Sequence, residues 1–314
     1  MIKKNILVTG GHGLVGTAIQ HISKKYSEYN WIFLKSKECD LNLLNGTDKY
    51  FSKIKPYYVI HLAAKVGGLF KNMNQKSEMF ECNISINTNV LKCCKKYNVK
   101  KVVSCLSTCI FPDKTNYPID ETMLHDGPPH FSNDAYAYAK RMLEVHSRIY
   151  REQFDIESIC IIPTNVYGEN DNYHLIDAHV IPALIHKCYL AKQNDEDFVV
   201  CGSGKPLRQF IYSKDLAELM LWSLFEYIGR ETIILSPDEK EEVSIGDIAT
   251  LIAKEFDYIS RMRFDVSKPD GQYKKTASNK KLRTYLPYYK FTQIDDGMTK
   301  SVKWFIENYN IARK

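Results

Sequence analysis

Gly10-x-x-Gly13-x-x-Gly16 stands between an apolar run and a helical stretch, and that context leaves few folds open. Asn5-Ile6-Leu7-Val8-Thr9 reads as a strand, and helical periodicity runs from Leu14 to about Tyr26. Glycines at these spacings permit a tight turn. They also let N–H groups at a helix N-terminus, those of Leu14 and Val15 included, face a pyrophosphate. Further strands are predicted at Trp31–Leu34, Tyr58–Leu62, Lys101–Leu106 and Ser158–Ile162, and helices at Thr47–Lys53, Phe80–Tyr97 and from a cap at Asn133 to Gln153. Apolar strands alternating with helices imply a parallel sheet covered on both faces. The expected fold class is α/β, a Rossmann-type doubly wound parallel sheet with a smaller C-terminal α/β lobe. Residues 1–165 would form the dinucleotide-binding domain, with the chain returning to it near 208–230. Residues 166–314 would form mainly a substrate-binding lobe, with short strands at Phe198–Val200 and Thr232–Leu235.

Composition removes other classes. With 314 residues, 44% hydrophobic and 25% charged, the chain has the balance of a soluble globular protein. Its net charge of +6 is spread along the chain without a basic run, which disfavours nucleic acid as partner. No secretory leader or bilayer-length apolar stretch is visible, so a cytoplasmic location is expected. The nine cysteines are odd in number and lack paired CxxC spacings, which disfavours a disulfide framework or a metal site.

After the second strand a site for NAD would carry a carboxylate for the ribose hydroxyls. Here the chain reads Lys35-Ser36-Lys37, and a cation beside a hydroxyl suits a 2′-phosphate, so NADPH is expected. Asp40 and Leu41 would flank the adenine. Ala63, Ala64 and Lys65, after the third strand, offer small residues where a dinucleotide must pass close.

Tyr136 and Lys140 lie one helical turn apart, and Ser107 follows the fourth strand, at the carboxyl end where open parallel sheets bind ligands. A phenol beside an ammonium can exchange a proton with a carbonyl undergoing hydride transfer, and the cation is expected to lower the phenol pKa. Ser107 could hold the carbonyl.

Taken in order, the glycine turn, Ser107, Tyr136 and Lys140 resemble the extended short-chain dehydrogenase/reductases of nucleotide sugars. Narrower motifs sharpen the likeness: Ala64-Lys65-Val66-Gly67-Gly68, Ser107-Thr108-Cys109-Ile110-Phe111-Pro112, Pro163-Thr164-Asn165-Val166-Tyr167-Gly168, His179-Val180-Ile181-Pro182 and Ser267-Lys268-Pro269-Asp270-Gly271. These are similar to the GDP-L-fucose synthase family, which converts GDP-4-keto-6-deoxy-D-mannose by inversion at C3 and C5 and reduction at C4. The resemblance implies Cys109 as base and His179 as acid for the inversions. Tyr136 would protonate the C4 oxygen and Lys140 would bind the nicotinamide ribose. Pro163, Val166 and His179 would add cofactor contacts, and Asn165, Lys187, Arg208 and Lys275 would bind substrate. It also implies a homodimer built on the helices starting near Phe80 and Asn133. One segment departs: the family's Gly-Pro-His-Asp-Asn is Gly168-Glu169-Asn170-Asp171-Asn172 here.

Competing activities fit less well. A 4,6-dehydratase would need a carboxylate pair after Ser107, where Thr108 and Cys109 stand. A simple 4-epimerase would need no partner for Cys109. A cofactor-binding sensor on the same fold typically loses part of the Ser107, Tyr136 and Lys140 set.

Overall fold

Alternate residues of the central strands point to opposite faces, and each face is buried under its own helices. In β1 (Lys4–Thr9), Ile6 and Val8 join one apolar cluster while Leu7 joins the other. The computed structural model describes residues 3–268, 270 and 272–314, with only the backbone of Leu69 and Phe70. Pro269 and Gly271 of the Ser267–Gly271 motif therefore lie outside the described residues.

From β1 the chain runs through α1 (Leu14–Ile22), β2 (Tyr29–Phe33), α2 (Leu44–Ile54), β3 (Tyr58–His61), α3 (Leu69–Asn74) and α4 (Lys76–Lys96). It continues through β4 (Lys101–Cys105), α5 (Asp134–Phe154), β5 (Glu157–Pro163), β6 (Asn165–Tyr167), α6 (Val180–Asn194), β7 (Phe198–Cys201), β8 (Leu207–Arg208) and β9 (Phe210–Tyr212). The last part holds α7 (Ser213–Phe225), β10 (Ile233–Leu235), β11 (Val243–Ser244), α8 (Ile245–Glu255), β12 (Met262–Asp265), α9 (Lys280–Tyr285) and α10 (Ile294–Glu307).

Six strands form one parallel sheet in the order β10-β5-β4-β3-β1-β2. Helices α2, α4 and α5 cover one face, and α1, α7 and α9 the other. A third cluster, from α6, α8, α10, β7 and β9, forms the core of the remaining part. Among the described residues no helix is long and apolar enough to cross a membrane.

The sheet takes in more of the chain than the sequence pattern suggested. Thr232–Leu235, expected in the second lobe, supplies β10, which pairs with β5 through Ile233 and Ile161. All three β10 residues are fully buried. A short strand that apolar is stable only between layers, and the sheet edge beside β5, covered by α7 and α9, provides them. The return thus extends to Leu235, beyond the 208–230 stretch.

A buried polar chain ties the two halves of the sheet together. His61 Nδ1 pairs with Thr9 Oγ1 at 2.8 Å and its Nε2 with Asn87 Oδ1 at 3.0 Å, while Asn87 Nδ2 reaches the Ala139 carbonyl at 3.5 Å. Burial, then the nearby Lys140 charge, pushes the His61 pKa down to about 3, so the ring is a neutral strut between β1, β3, α4 and α5.

Candidate active site

The carboxyl ends of β1, β3, β4 and β5 converge where the glycine turn, Ser107 and the start of α5 meet. Gly10 has φ +66°, and a Cβ there would stand 2.8 Å from the Ala63 nitrogen. A Cβ at Gly16 would stand 2.5 Å from the Gly10 oxygen. Only glycine lets the turn and α1 approach the strand ends this closely. Gly13 occupies the N-cap position of α1 without a side-chain cap, and the first turn holds no acidic residue. The N–H groups of Leu14, Val15 and Gly16 thus form an electropositive cradle that fits a dinucleotide pyrophosphate.

Beside it, Ser36 and Lys37 are exposed after β2, as a 2′-phosphate site requires. Asp40 is exposed and closes its own turn by accepting from the Asn42 amide at 2.9 Å. Leu41, by contrast, is buried in the core cluster. Ala63 donates its N–H to Thr9 Oγ1 at 3.2 Å, and Lys65 donates its N–H to Asn83 Oδ1 at 2.9 Å while its ammonium pairs with Glu78.

Ser107 caps the short helical turn Thr108–Ile110, its hydroxyl accepting the Cys109 N–H at 3.4 Å. Asn133 sits at the cap position of α5 but its side chain makes no capping bond, since its backbone is not in the extended form a cap uses. Asp134 Oδ1 instead takes the Ala135 N–H at 2.8 Å. One turn into α5, Tyr136 packs against the apolar cluster that includes Cys109.

Lys140 corrects one expectation. Its Nζ donates to the Cys105 carbonyl at 2.8 Å and stands 5.9 Å from the centre of the Tyr136 ring. The phenol pKa is not lowered: burial, then the Cys109 and Cys105 sulfurs, push it well above the usual tyrosine range. Burial lowers the Lys140 pKa in turn. Tyr136 is therefore a neutral phenol, equipped to donate a proton.

Cys109 is buried, and desolvation raises its thiol pKa, opposed by Ser107 and then by the Lys275 and Lys140 charges. Lys275 stands in the reverse situation, lowered mainly by burial while Cys109 favours its charged form. Arg208 Nη1 and Nη2 each donate at 2.6 Å, to the Leu207 and Gln272 carbonyls, the second holding the segment that leads to Lys275. Asn165 Nδ2 donates to the Gln209 carbonyl at 2.9 Å. Val166 lies beside it on β6, and Pro163 ends β5 as a buried residue. Lys187 is half-buried with its Nζ 3.9 Å from Cys201 Sγ.

His179 is the N-cap of α6, its imidazole open to solvent, and the protein packed around it lowers the imidazole pKa by desolvation. No hydrogen bond among the described residues joins it to the Ser107, Cys109, Tyr136 and Lys140 group.

Residues 6–232 match the NAD dependent epimerase/dehydratase family. The chain is 56% identical over 314 residues to a GDP-L-fucose synthase of Dictyostelium discoideum, spanning 99% of this chain and 98% of that protein. The chain belongs to the GDP-L-fucose synthase family. It is also 51% identical over 320 residues to a probable GDP-L-fucose synthase of Drosophila melanogaster, covering 99% of this chain and all of that one. Among solved structures, a GDP-L-fucose synthetase of Naegleria fowleri bound to NADP superposes with a TM-score of 0.94 at 51% identity, over 99% of this chain and 95% of that one.

Within this family the departure at Glu169-Asn170 is well anchored. Glu169 accepts from Tyr212 Oη at 2.6 Å and Lys214 Nζ at 2.8 Å, and Arg313 Nη2 donates to the Asn170 carbonyl at 2.7 Å. Burial raises the Glu169 pKa, but the Lys214 and Tyr212 hydrogen bonds outweigh it and hold the carboxyl below its usual value. Polar bonds thus hold this loop in place.

Two positioning roles escaped the sequence reading, which had Gly68 only as part of a motif. The Gly68 N–H donates to the Asp177 carbonyl at 2.9 Å, and a Cβ on Gly68 would stand 3.1 Å from the Ile176 and Ala178 oxygens. Gly68 therefore sets the approach of the segment that ends in His179. Asn83 is fully buried and clasps both the N–H and the carbonyl of Lys65. A polar residue on the inner face of a helix was the available signal for Asn83.

Proposed function

We propose that this protein inverts C3 and C5 of GDP-4-keto-6-deoxy-D-mannose and then reduces the C4 ketone with NADPH, giving GDP-L-fucose. The observation that carries the reading is Cys109 seated on the Ser107 turn in the same cluster as Tyr136. A reductase alone needs the phenol and the hydroxyl; a thiol at that point adds a base for carbon acids.

The keto group acidifies the protons on C3 and C5. Cys109 as thiolate removes each, and His179 protonates the opposite face of the enolate. Ser107 orients the C4 oxygen and Tyr136 protonates it. NADPH, when bound, supplies the hydride for C4. The Gly10–Gly16 cradle, with Ser36 and Lys37 at the ribose phosphate and Ala63, Ala64, Lys65, Pro163 and Val166 along the dinucleotide, would hold it. Lys140 would bind the nicotinamide ribose. Lys187, Lys275 and Asn165 would bind the nucleotide sugar, and Arg208 would reach it while ordering the segment before Lys275.

Purified protein given the keto-sugar should oxidise NADPH faster than NADH and yield GDP-L-fucose, identified by NMR. Cofactor binding without turnover would leave a binding protein on a reductase fold and sink the assignment. The nine free cysteines suit a reducing, cytoplasmic setting.

The reading includes a homodimer through α4 and α5. These helices pack side by side and expose Phe80, Tyr138, Met142 and Ile149. Sedimentation should give twice the 36.4 kDa chain mass, and a monomer at micromolar concentration would overturn the dimer.

A further inference from the structure

Two inversions by one base and one acid need a proton exchange between them, and the requirement rests on the reaction proposed above. In the first inversion the Cys109 thiolate takes a proton from the ring carbon and becomes a thiol. The enolate takes a proton on its other face from the His179 imidazolium, leaving a neutral imidazole. Before the second inversion the thiol must lose its proton and the imidazole must gain one. One proton leaves, one enters, and charge balances.

The two residues differ in their access to water. His179 is exposed and can take its proton directly. Cys109 is only 9% exposed, and a sugar poised for deprotonation would cover that remaining surface. Its proton needs another way out.

A narrow cleft with about 10 Å³ of space for solvent, room for about one water, lies against Cys109. Its lining grades from buried Thr108 and Cys109 through Lys275 to half-exposed Asp113, Thr115 and His130. Ser107, Tyr136 and His179 are not among the described residues that line it, whereas Cys109 and Lys275 are, so it opens off the substrate site beside the base and away from the reducing phenol. Proton-carrying groups follow one another along it. Lys275 lines the same cleft as Cys109 and Asp113, and burial lowers its pKa, with Cys109 and Asp113 opposing, so it can take up and release a proton between the inner and outer ends. The Asp113 N–H is pinned to the Pro128 carbonyl at 2.9 Å, and Asp113 Oδ1 faces His130 Nε2 at 3.9 Å. His130 Nδ1 accepts the Ser132 N–H at 3.2 Å, which leaves Nε2, on the Asp113 side, to carry the mobile proton.

We propose that this cavity is a proton port, through which Cys109 discharges to solvent by way of Lys275, water and the Asp113–His130 pair between the two inversions. A passage this narrow holds about one water, enough to link Lys275 to the Asp113–His130 pair.

The test uses the full-length protein with keto-sugar and NADPH in D2O, with products resolved by NMR. Wild type should give GDP-L-fucose with solvent deuterium at C3 and C5. Thr115→Leu, which fills the cavity, and His130→Gln, which removes the outer relay, should keep the KM for substrate. Both should raise the ratio of singly inverted, reduced sugar to GDP-L-fucose about ten-fold or more, within the range general acid–base groups contribute. A residue that merely supported the fold would lower all products together. If Thr115→Leu does not fold, His130→Gln gives the same reading. Wild-type product ratios in the folded variants would overturn the port while leaving the reaction standing. Absence of deuterium from both centres in wild type would overturn the reaction itself, and the port with it.

Discussion

Tyr136→Phe should stop reduction while the ring inversions continue, lowering NADPH oxidation about 10²- to 10⁴-fold, the range a positioned acid contributes. Hydride arriving at C4 leaves an alkoxide whose proton must come from a group already beside it. Tyr136 is held as the neutral phenol by burial and by the neighbouring sulfurs, so its proton is present across the working pH range. Phenylalanine keeps the ring that packs on the Cys109 cluster and removes only the hydroxyl. The measurement pairs NADPH absorbance with exchange of the C3 and C5 protons into D2O. Exchange at the wild-type rate with reduction nearly gone is the expected pattern. Turnover within about ten-fold of wild type would assign the proton to another donor, such as a bound water.

The same geometry explains why a spacing argument found the right pair and gave it the wrong electrostatics. Four residues on a helix do bring Tyr136 and Lys140 to one face. Spacing says nothing about where an ammonium points, and here the Cys105 carbonyl captures it. Lys140 ties the end of β4 to α5, fixing the two elements that carry Ser107 and Tyr136.

Elsewhere the sequence was legible where periodicity is local and obscure where tertiary contact decides. Most strands and helices up to Pro163 could be read as apolar-periodic runs bounded by turn residues, but α3 was missed and α4 begins at Lys76 rather than near Phe80. Ile233–Leu235 could not be assigned to the sheet, because three apolar residues pair equally well with any edge until α7 and α9 define the layer. The Gly10–Gly16 cradle was visible because chemistry and turn geometry demand the same residues. The roles of Asn83 and Gly68 were not, since they act on the backbone of distant segments. Arg208 was recognisable as a cation, but its donation to the Gln272 carbonyl depends on a segment distant in sequence being brought beside β8, which no local pattern shows.

Cys109→Ser is the most discriminating substitution, because it changes one atom and should change the product as well as the rate. A serine hydroxyl is far harder to ionise than a thiol, whose unperturbed pKa is about 8.5. In this site burial already opposes ionisation, and only Ser107, Lys275 and Lys140 pull against it. The serine variant would face the same desolvation with a weaker acid, so both inversions should slow about 10²- to 10⁴-fold. Reduction should persist, since Tyr136, Ser107 and Lys140 are untouched and the bond to Ser107 comes from the backbone N–H of residue 109. The expected product is a sugar reduced at C4 with C3 and C5 in their original configuration, formed with continued NADPH consumption. GDP-L-fucose from the variant at the wild-type rate would place the base elsewhere. Loss of reduction along with inversion would mean that C4 accepts hydride only from a ring already inverted, which makes Cys109 the gate for the whole sequence rather than for its first half.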